Sequence, residues 1–422
     1  MQSCVLLKYG ELALKGRNRW RFEETLLRNL DNTLADLGDI SVRRRYGVLV
    51  VKGAPLPVLV ERTQAVLGLA LVHPAVMVKP SLTAIERGAL DLLRPYARDN
   101  RDGHGPDSGA TRATNAATVG TTSGTNHGPA TFAIRPRRRW KGFEMRSHAI
   151  AVRLGDRVRA ELGLEVDLRN PDVELGIEID RHEVLLYTEK LPGQGGLPVG
   201  VNGRALTLLS GGFDSPVAGY RTMRRGLATD YVHFSGMPFT GPESVYKAYA
   251  LAARLDRYRG GGSRLWVVSF GNAQRSLATA GAGKLQVLAQ RRLMVRVASR
   301  LGAQVGAQAI VTGDSLGQVS SQTLPNLVAV EAAAELPLLR PLLGWDKTEI
   351  VAEAERIGTA EISKMPDEDC CTLFASPLAE TKAQVSALEK IEHRLDLEPL
   401  VDELISAATL HEFAVKADHA AA

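Results

Sequence analysis

A chain of 422 residues, 45% hydrophobic and 23% charged, has the make-up of ordinary globular protein and room for roughly two to four domains. It holds no apolar run of the roughly 18 residues a membrane helix requires. Its start, MQSCVLLKYGELALKG, has too short an apolar run for a signal peptide and no clear cleavage site, so no membrane and a cytoplasmic location are expected. The net charge of +5 is uneven, with an excess of six positive charges in residues 1–200 and of one negative charge beyond them, which suits a polyanionic partner for the N-terminal half.

SCVLLKYGELAL reads as a strand and a turn. Phe22, Leu26, Leu30, Leu34 and Leu37 then recur at helical spacing, and Gly38 marks the stop. YGVLVVKG is a second strand from Tyr46 to Lys52, PLPVLVERTQAVLG a helix and LVHPAVMVKP a strand, so the first 80 residues or so suggest a small α+β unit. Residues 84–98 read as helix. Residues 98–130 are Gly, Thr, Asn, Ala and Ser with almost no large apolar side chain, and are expected to be a disordered insertion within a domain. TFAIRPRRRWKGFEM resumes as a strand with a basic tail, 147–162 reads as helix, and VDLRNPDVELGIEIDRHEVLLYTEKLPG as two strands turning near Asp180–His182.

The Gly- and Pro-dense stretch at 192–203 is a natural boundary. Strands then alternate with helices, strands at 205–209, 229–234, 264–269 and 308–312, helices at 215–227, 243–257, 285–302 and 346–357. That alternation predicts an open, doubly wound, mostly parallel sheet with helices on both faces. VSALEKIEHRLDLEPLVDELISAATLHEF reads as helical, and VKADHAAA as a frayed end.

The chemistry concentrates in this second half. LTLLSGGFDSPVAGY, from Leu206 to Tyr220, is a strand, a glycine-rich turn and a helix. Such a turn aims several backbone N–H groups at one spot, and the helix terminus adds partial positive charge, which makes a phosphate site. It lacks the lysine of a Walker loop and the spacing of a dinucleotide fingerprint. Gly211 and Gly212 allow an anion nest around a pyrophosphate, Ser210 and Ser215 offer hydroxyl donors, and Asp214 suits either Mg²⁺ or orientation of the loop.

His233 and Phe234 end the next strand, where ligands contact open α/β sheets. Gly313 permits close backbone approach after another strand, and Asp314, Ser315, Gln318 and Gln322 line what reads as a site wall. In QRRLMVRVASRLG, Leu293, Val297 and Leu301 face a core, leaving Arg291, Arg292 and Arg296 for solvent, phosphate or RNA. Lys347 falls in the first turn of a helix, where a cation opposes the dipole and calls for a compensating anion.

Three cysteines without a C-x-x-C make a disulfide scaffold, zinc ribbon or four-cysteine cluster unfavourable. Cys370 and Cys371 stand together in the acidic MPDEDCCTLFASP, where a thiolate can carry and deliver sulfur. Arg135, Arg137, Arg138, Arg139, Lys141 and Arg146 interleave with Trp140 and Phe143, a pattern that neutralises phosphates and stacks on unpaired bases.

SGGFDS resembles the pyrophosphate (PP) loop of N-type ATP pyrophosphatases. Together, KYGELALKGRNR, FAIRPRRRWKGFEM, LLSGGFDSPVAGY, VHFSG, RRLMVR, TGDSLGQVSSQTL, DKTEI and EDCCTLF are similar, in order, to the tRNA 4-thiouridine sulfurtransferase family. The resemblance implies a ferredoxin-like domain at 1–60, a tRNA-binding THUMP domain at 61–190 interrupted by the 98–130 insertion, a PP-loop ATP pyrophosphatase domain at 191–395 and a helical tail at 396–422. It further implies ATP contacts at Leu208, Leu209, His233, Phe234, Arg291, Gly313 and Gln322, adenylation roles for Asp214 and Lys347, and sulfur transfer at Cys370 or its neighbour Cys371. ATP and Mg²⁺ are the implied cofactors. The implied partners are tRNA, a sulfur donor (a cysteine desulfurase persulfide or sulfide), a sulfur carrier protein of thiamine synthesis and a second copy of the chain. The form expected is one without a rhodanese-like domain. Another tRNA- or small-molecule-adenylating ATP pyrophosphatase, and a non-catalytic THUMP RNA-binding protein, are the alternatives.

Overall fold

A computed structural model describes residues 1–45, 47–97, 130–368, 373–376 and 378–414. The expected insertion at 98–130 (all but Ala130), the frayed end at 415–422 and both Cys370 and Cys371 lie outside the described residues. Two compact units are present, one of Met1–Lys8, Asp39–Glu61 and Leu71–Pro192, the other of Tyr9–Gly38, Arg62–Ala70 and Gly193 onward.

The first unit is built on strands β1 (Gln2–Tyr9), β2 (Ser41–Arg45), β3 (Val48–Lys52), β4 (Leu69–Val78), β5 (Thr131–Arg138), β6 (Glu165–Val166), β7 (Val173–Ile179), β8 (Val184–Tyr187) and β9 (Leu191–Pro192). They form one sheet in the order β2-β3-β1-β4-β8-β7-β5-β6, with β9 on β4. Helix α1 (Arg19–Leu34) belongs to the second unit, α2 (Leu56–Gln64) is divided between the two, and α3 (Leu82–Leu93) and α4 (Ser147–Leu162) belong to the first. The apolar sides of α3 and α4 (Ile85, Ala89, Leu93; Ile150, Leu154, Val158) close over Phe132, Ile134, Leu175, Ile177 and Leu186. Cys4 belongs to a second cluster with Leu6, Val48 and Val50. Burial pushes its thiol up to about 12, so it is an inert core residue. Strand β2 is absent from the sequence expectations, because three successive arginines carry no apolar alternation. It forms by pairing with β3 from Ser41↔Lys52 to Arg45↔Val48.

The second unit carries β10 (Arg204–Leu208), α5 (Asp214–Arg224), β11 (Ala228–Ser235), α6 (Glu243–Arg259), β12 (Arg264–Ser269), α7 (Gly271–Thr279), α8 (Gln286–Gln304), β13 (Ala309–Val311), α9 (Leu324–Glu331), β14 (Leu338–Leu339), α10 (Lys347–Ile357), α11 (Ala360–Ser363), α12 (Val385–Glu392), α13 (Leu397–Ser406) and β15 (Thr409–Glu412). The order β14-β13-β10-β11-β12-β15 is parallel throughout except for the last pair. Alternating residues face opposite ways, as a pleated strand requires. Leu206, Val232, Phe234, Val268 and Ile310 pack with α7, α8, α9, α12 and α13. Ala205, Tyr231, Leu265, Val267 and Val311 pack with α5, α6 and α10. Two cores on two faces are the doubly wound arrangement read from the sequence. Each fully buried Leu, Val or Ile contributes roughly 1.5–3 kcal/mol.

Two expectations need correction. Residues 409–412 are not helical but form β15, pairing antiparallel with β12 from Val267↔Thr409 to Arg264↔Glu412. The open edge of β12 demands backbone partners, and Phe413 N–H extends the pairing to the Ser263 carbonyl at 2.9 Å. Arg292 is neither solvated nor offered to phosphate. It is buried at 1% exposure, where its guanidinium donates to both oxygens of Glu392, with Nη2 to Oε2 at 2.9 Å.

Candidate functional site

Strand β10 has parallel neighbours on both sides, β11 and β13. The chain leaves β10 toward β11 and returns later to β13, so the loop after β10 lies at the switch point where such sheets bind ligands. That loop is Leu209–Phe213, running into the N-terminus of α5. Within it the Ser210 backbone N–H donates to Ser215 Oγ at 2.8 Å, and the two hydroxyls lie 3.0 Å apart. Ser215 is 4% exposed, so its hydroxyl holds the loop in shape from beneath. Gly313 fits the same construction, because a Cβ there would lie 2.6 Å from the Ser215 nitrogen. Only glycine lets the end of β13 come so close to the start of α5.

A cavity of about 450 Å³ opens over the loop, within the range of small-molecule sites. Of the residues singled out in the sequence, Leu208, Leu209, Ser210, Gly211, Gly212, Asp214, His233 and Phe234 line it. His233 Nδ1 stands 2.9 Å from the Leu209 carbonyl, which can only accept, so Nδ1 carries the proton and Nε2 accepts from Ser244 Oγ at 3.3 Å. Burial holds the imidazole's pKa below its ordinary value, keeping it neutral. Phe234 meets Phe270 edge to face at 5.2 Å.

Asp214, the first residue of α5, bridges two elements. Its Oδ1 accepts from Lys347 Nζ at 2.7 Å and its Oδ2 from Gln318 Nε2 at 3.0 Å. The anion that Lys347 calls for at the start of α10 is therefore Asp214, while Asp346 caps that helix by accepting from the Glu349 N–H at 2.9 Å. Arg291 and Gln322 join the wall through Asp314. Arg291 Nη2 pairs with Oδ1, and Gln322 Nε2 reaches the same oxygen at 3.4 Å. Burial alone would raise the pKa of Asp314. Arg291, Thr312 and Arg340 outweigh it and hold the group below the ordinary carboxylate value. The Gln318 and Gln322 side-chain oxygens are buried without a hydrogen-bond partner among the described residues. Arg291, Gly313, Gln322 and Lys347 stand around the loop but are not cavity-lining residues.

Phe213 and Val232 line the cavity as well, and sequence reasoning missed the rest of the lining, Ser244, Lys247, Met294, Ser363, Asp367 and Glu368. One signal was present. Ser244, Lys247, Ala248, Leu251, Ala252 and Leu255 form the buried side of α6, and a lysine on an apolar stripe is out of place unless it is paired. Its partners, Met365 O at 2.6 Å and Asp367 Oδ1 at 2.8 Å, lie far along the chain.

The basic segment of the first unit divides into two sets. Arg135, Arg137, Lys141 and Arg146 are exposed at β5 and the turn after it. Arg138 donates to the Lys141 carbonyl at 3.2 Å, and Arg139 is nearly buried against Glu178 at 2.8 Å. Phe143 is 6% exposed and belongs to the core. It is not free to stack on a base, whereas Trp140 is 37% exposed. Among the described residues no group of three or more His, Cys, Asp or Glu side chains is placed to hold a metal. No helix of the described residues is long and apolar enough to cross a membrane.

Comparison with known proteins adds an independent line. Residues 200–397 match the family model described as thiamine biosynthesis protein (ThiI). Residues 4–72 match the ThiI ferredoxin-like domain, and 120–189 the THUMP domain. The chain is 50% identical to the "Probable tRNA sulfurtransferase" of Nocardia farcinica, over 96% of this chain and 93% of that one. Its counterpart in Brevibacillus brevis is 34% identical over 98% and 96% of the two chains. A crystal structure of a 4-thiouridine synthetase in complex with RNA and bound ATP superposes with a TM-score of 0.84 at 30% identity, covering 98% of this chain and all of that one. The N-terminal ferredoxin-like and THUMP domains, the parallel-sheet domain that follows them and the relatives matched end to end give one conclusion: the chain belongs to the tRNA sulfurtransferase family.

Proposed function

We propose that the protein is an ATP-dependent tRNA sulfurtransferase that adenylates uridine 8 of tRNA at O4 and replaces that oxygen with sulfur, giving 4-thiouridine. The observation that carries this reading is the cavity over Ser210–Asp214 at the switch point of the sheet, in a chain whose solved relative was crystallised with RNA and bound ATP. The Gly211 and Gly212 amides suit the departing pyrophosphate, His233 and Phe234 the nucleoside end, and Arg291 and Gln322 the wall beyond. Lys347, held beside the loop by Asp214, stabilises charge growing on the transferred phosphate. Asp214 is the carboxylate that would hold Mg²⁺ together with the phosphates, and the ion's chemistry there is charge neutralisation.

Cys370, with Cys371 beside it, receives sulfur as a persulfide from a cysteine desulfurase by thiol exchange and delivers it to the adenylated C4, from which AMP leaves; where sulfide is the donor, it displaces AMP from C4 directly. Arg135, Arg137, Lys141 and Arg146 supply the exposed phosphate contacts to tRNA, with Arg138 and Arg139 shaping that strand. We divide the chain at residues 60, 190 and 395, with helix α13 and strand β15 beyond the last of these, and read it as a cytoplasmic homodimer on the family resemblance. Light scattering at twice the chain mass checks the dimer. The description of the matched family model supports a second role in passing sulfur to a carrier protein for thiamine synthesis.

The test is incubation with unmodified tRNA, ATP and a sulfide or persulfide source, followed by digestion to nucleosides. The expected products are 4-thiouridine, AMP and pyrophosphate. Consumption of ATP without thiouridine overturns the sulfur step, and full product from both Cys370→Ser and Cys371→Ser with the persulfide source overturns the role of the cysteines.

A further inference from the structure

Lys247 has no part in the scheme above, yet its side chain is 6% exposed and it lines the same cavity as the loop glycines. A buried ammonium is tolerated only when it is paired. Its two hydrogen-bond acceptors come from one short segment after α11, the Met365 carbonyl at 2.6 Å and Asp367 Oδ1 at 2.8 Å. That segment is fastened around the loop at neighbouring points. Ser363 Oγ donates to the Gly212 carbonyl at 3.2 Å, and Glu368 Oε2 accepts from the Gly241 N–H at 3.2 Å.

The position of the Asp367 carboxylate is the informative feature. A Cβ built on Gly211 would lie 2.4 Å from Asp367 Oδ2 and 3.0 Å from Lys247 Cδ. A carboxylate oxygen and the lysine stem thus press directly on the glycine of the phosphate nest. The other cations of the site are engaged differently, Lys347 by the loop's own Asp214 and Arg291 by Asp314 on the wall. Lys247 is engaged by an anion whose other oxygen borders Gly211, in the turn suited to a phosphate. Two anions at that distance repel strongly in a half-buried site, so a nucleotide phosphate and the Asp367 carboxylate cannot share the lysine.

We propose that Lys247 is a phosphate-binding residue of the nucleotide site and that Asp367 is its internal surrogate anion, displaced when the polyphosphate of a nucleoside triphosphate enters the nest. The inference rests on the ATP-dependent reading above and deepens it, adding a cation for the polyphosphate and a competitor for that cation. No bond is made or broken in the exchange. One carboxylate leaves the ammonium and one phosphate oxygen replaces it.

Binding of ATP and of inorganic pyrophosphate to the full-length protein, measured by titration calorimetry, tests it. Lys247→Met is expected to weaken both ligands at least tenfold, and Lys247→Arg to stay within about threefold of the unaltered protein. Asp367→Asn, which removes the competitor's charge while keeping its shape, is expected to tighten both ligands about threefold or more. Such a gain cannot come from misfolding, so this arm decides even if Lys247→Met is unstable. Unchanged affinity in Lys247→Met, or unchanged or weakened affinity in Asp367→Asn, overturns the proposal while leaving the ATP-dependent reading intact. Failure of the unaltered protein to bind either ligand overturns both.

Discussion

Both ends of the parallel sheet hold a buried aspartate among arginines, and the two are built differently. Near the N-terminal ends of the strands Asp230 is fully buried between Arg204 at 2.5 Å, Arg259 at 2.7 Å and Arg264 at 2.8 Å, and it accepts from the Arg264 N–H as well. Near the C-terminal ends Asp314 meets Arg291, Arg340 and Thr312. In each case burial would raise the carboxyl pKa, and the guanidinium groups pull it below the ordinary value. A perturbed acid therefore does not by itself mark a site. Spare hydrogen-bonding capacity beside open space does. Around Asp314 and Asp214 the Gln318 and Gln322 oxygens stand without partners among the described residues, and Asp214 lines a cavity. Thr229 Oγ1 and Tyr231 Oη beside Asp230 are likewise buried without partners among the described residues, but Asp230 does not line that cavity and its carboxylate is saturated by three guanidinium groups and a backbone N–H.

If the first end is a strut and the second a site, substitutions should separate stability from rate. The largest effect is expected at the strut. Asp230→Asn leaves three arginines facing a neutral amide, and breaking a buried ion network in this way costs about 3–5 kcal/mol. Denaturant unfolding should show that loss, with turnover per folded molecule unchanged. Next is Lys347→Met. Its ammonium is half exposed, so its ion pair contributes less than about 1 kcal/mol to stability, while thiouridine formation should fall roughly 100-fold or more. Equal losses of stability in the two variants would erase the distinction. A smaller effect is expected at Gly313→Ala. The added Cβ would lie 2.6 Å from backbone that cannot yield, which costs about 1–3 kcal/mol of strain. Because the strain falls on the start of α5, ATP affinity should drop with it. The same substitution at Gly163, where a Cβ meets nothing within 4 Å but φ is +65°, should lower stability and leave ATP affinity alone.

The site end was far more legible in the sequence than the strut end, for a physical reason. The loop that holds phosphate is local, so Ser210–Ser215 declares itself between β10 and α5, and the alternation of strands and helices foretells the switch point. Asp230 and its arginines are joined across 26 to 34 residues of chain, and no spacing rule links them. Lys247 and Asp367 are 120 residues apart, which hid the pair although the lysine broke the apolar stripe of α6. Phe143 read as a stacking ring because its sequence neighbours are basic, yet the fold turns it into the core of α3 and α4. Strands β2 and β15 escaped because edge strands are specified by the strand they pair with, not by their own pattern.

Acid should distinguish the two ends by window. At the site end burial lowers the His233 pKa, so the folded protein keeps a neutral ring that the unfolded chain protonates near its ordinary value of about 6.5. The unfolded state then binds the extra proton, and stability falls as pH drops below about 6.5. At the strut end Asp230 is held below the ordinary carboxylate value. Its contribution is present above about 4 and is lost only as pH falls further, through its folded pKa. His73, in the other unit, has a pKa lowered by burial to about 4 and erodes stability over the same upper window as His233. The informative quantity is therefore a difference. Unfolding free energy of the unaltered protein minus that of His233→Asn should change between pH 6.5 and 4.5, by no more than about 1.4 kcal/mol per pH unit, the limit for one proton. The corresponding difference for Asp230→Asn should be flat there and change only below about pH 4. A flat His233 difference across the upper window would mean that the folded ring takes up its proton just as the unfolded chain does, and that burial does not hold it neutral.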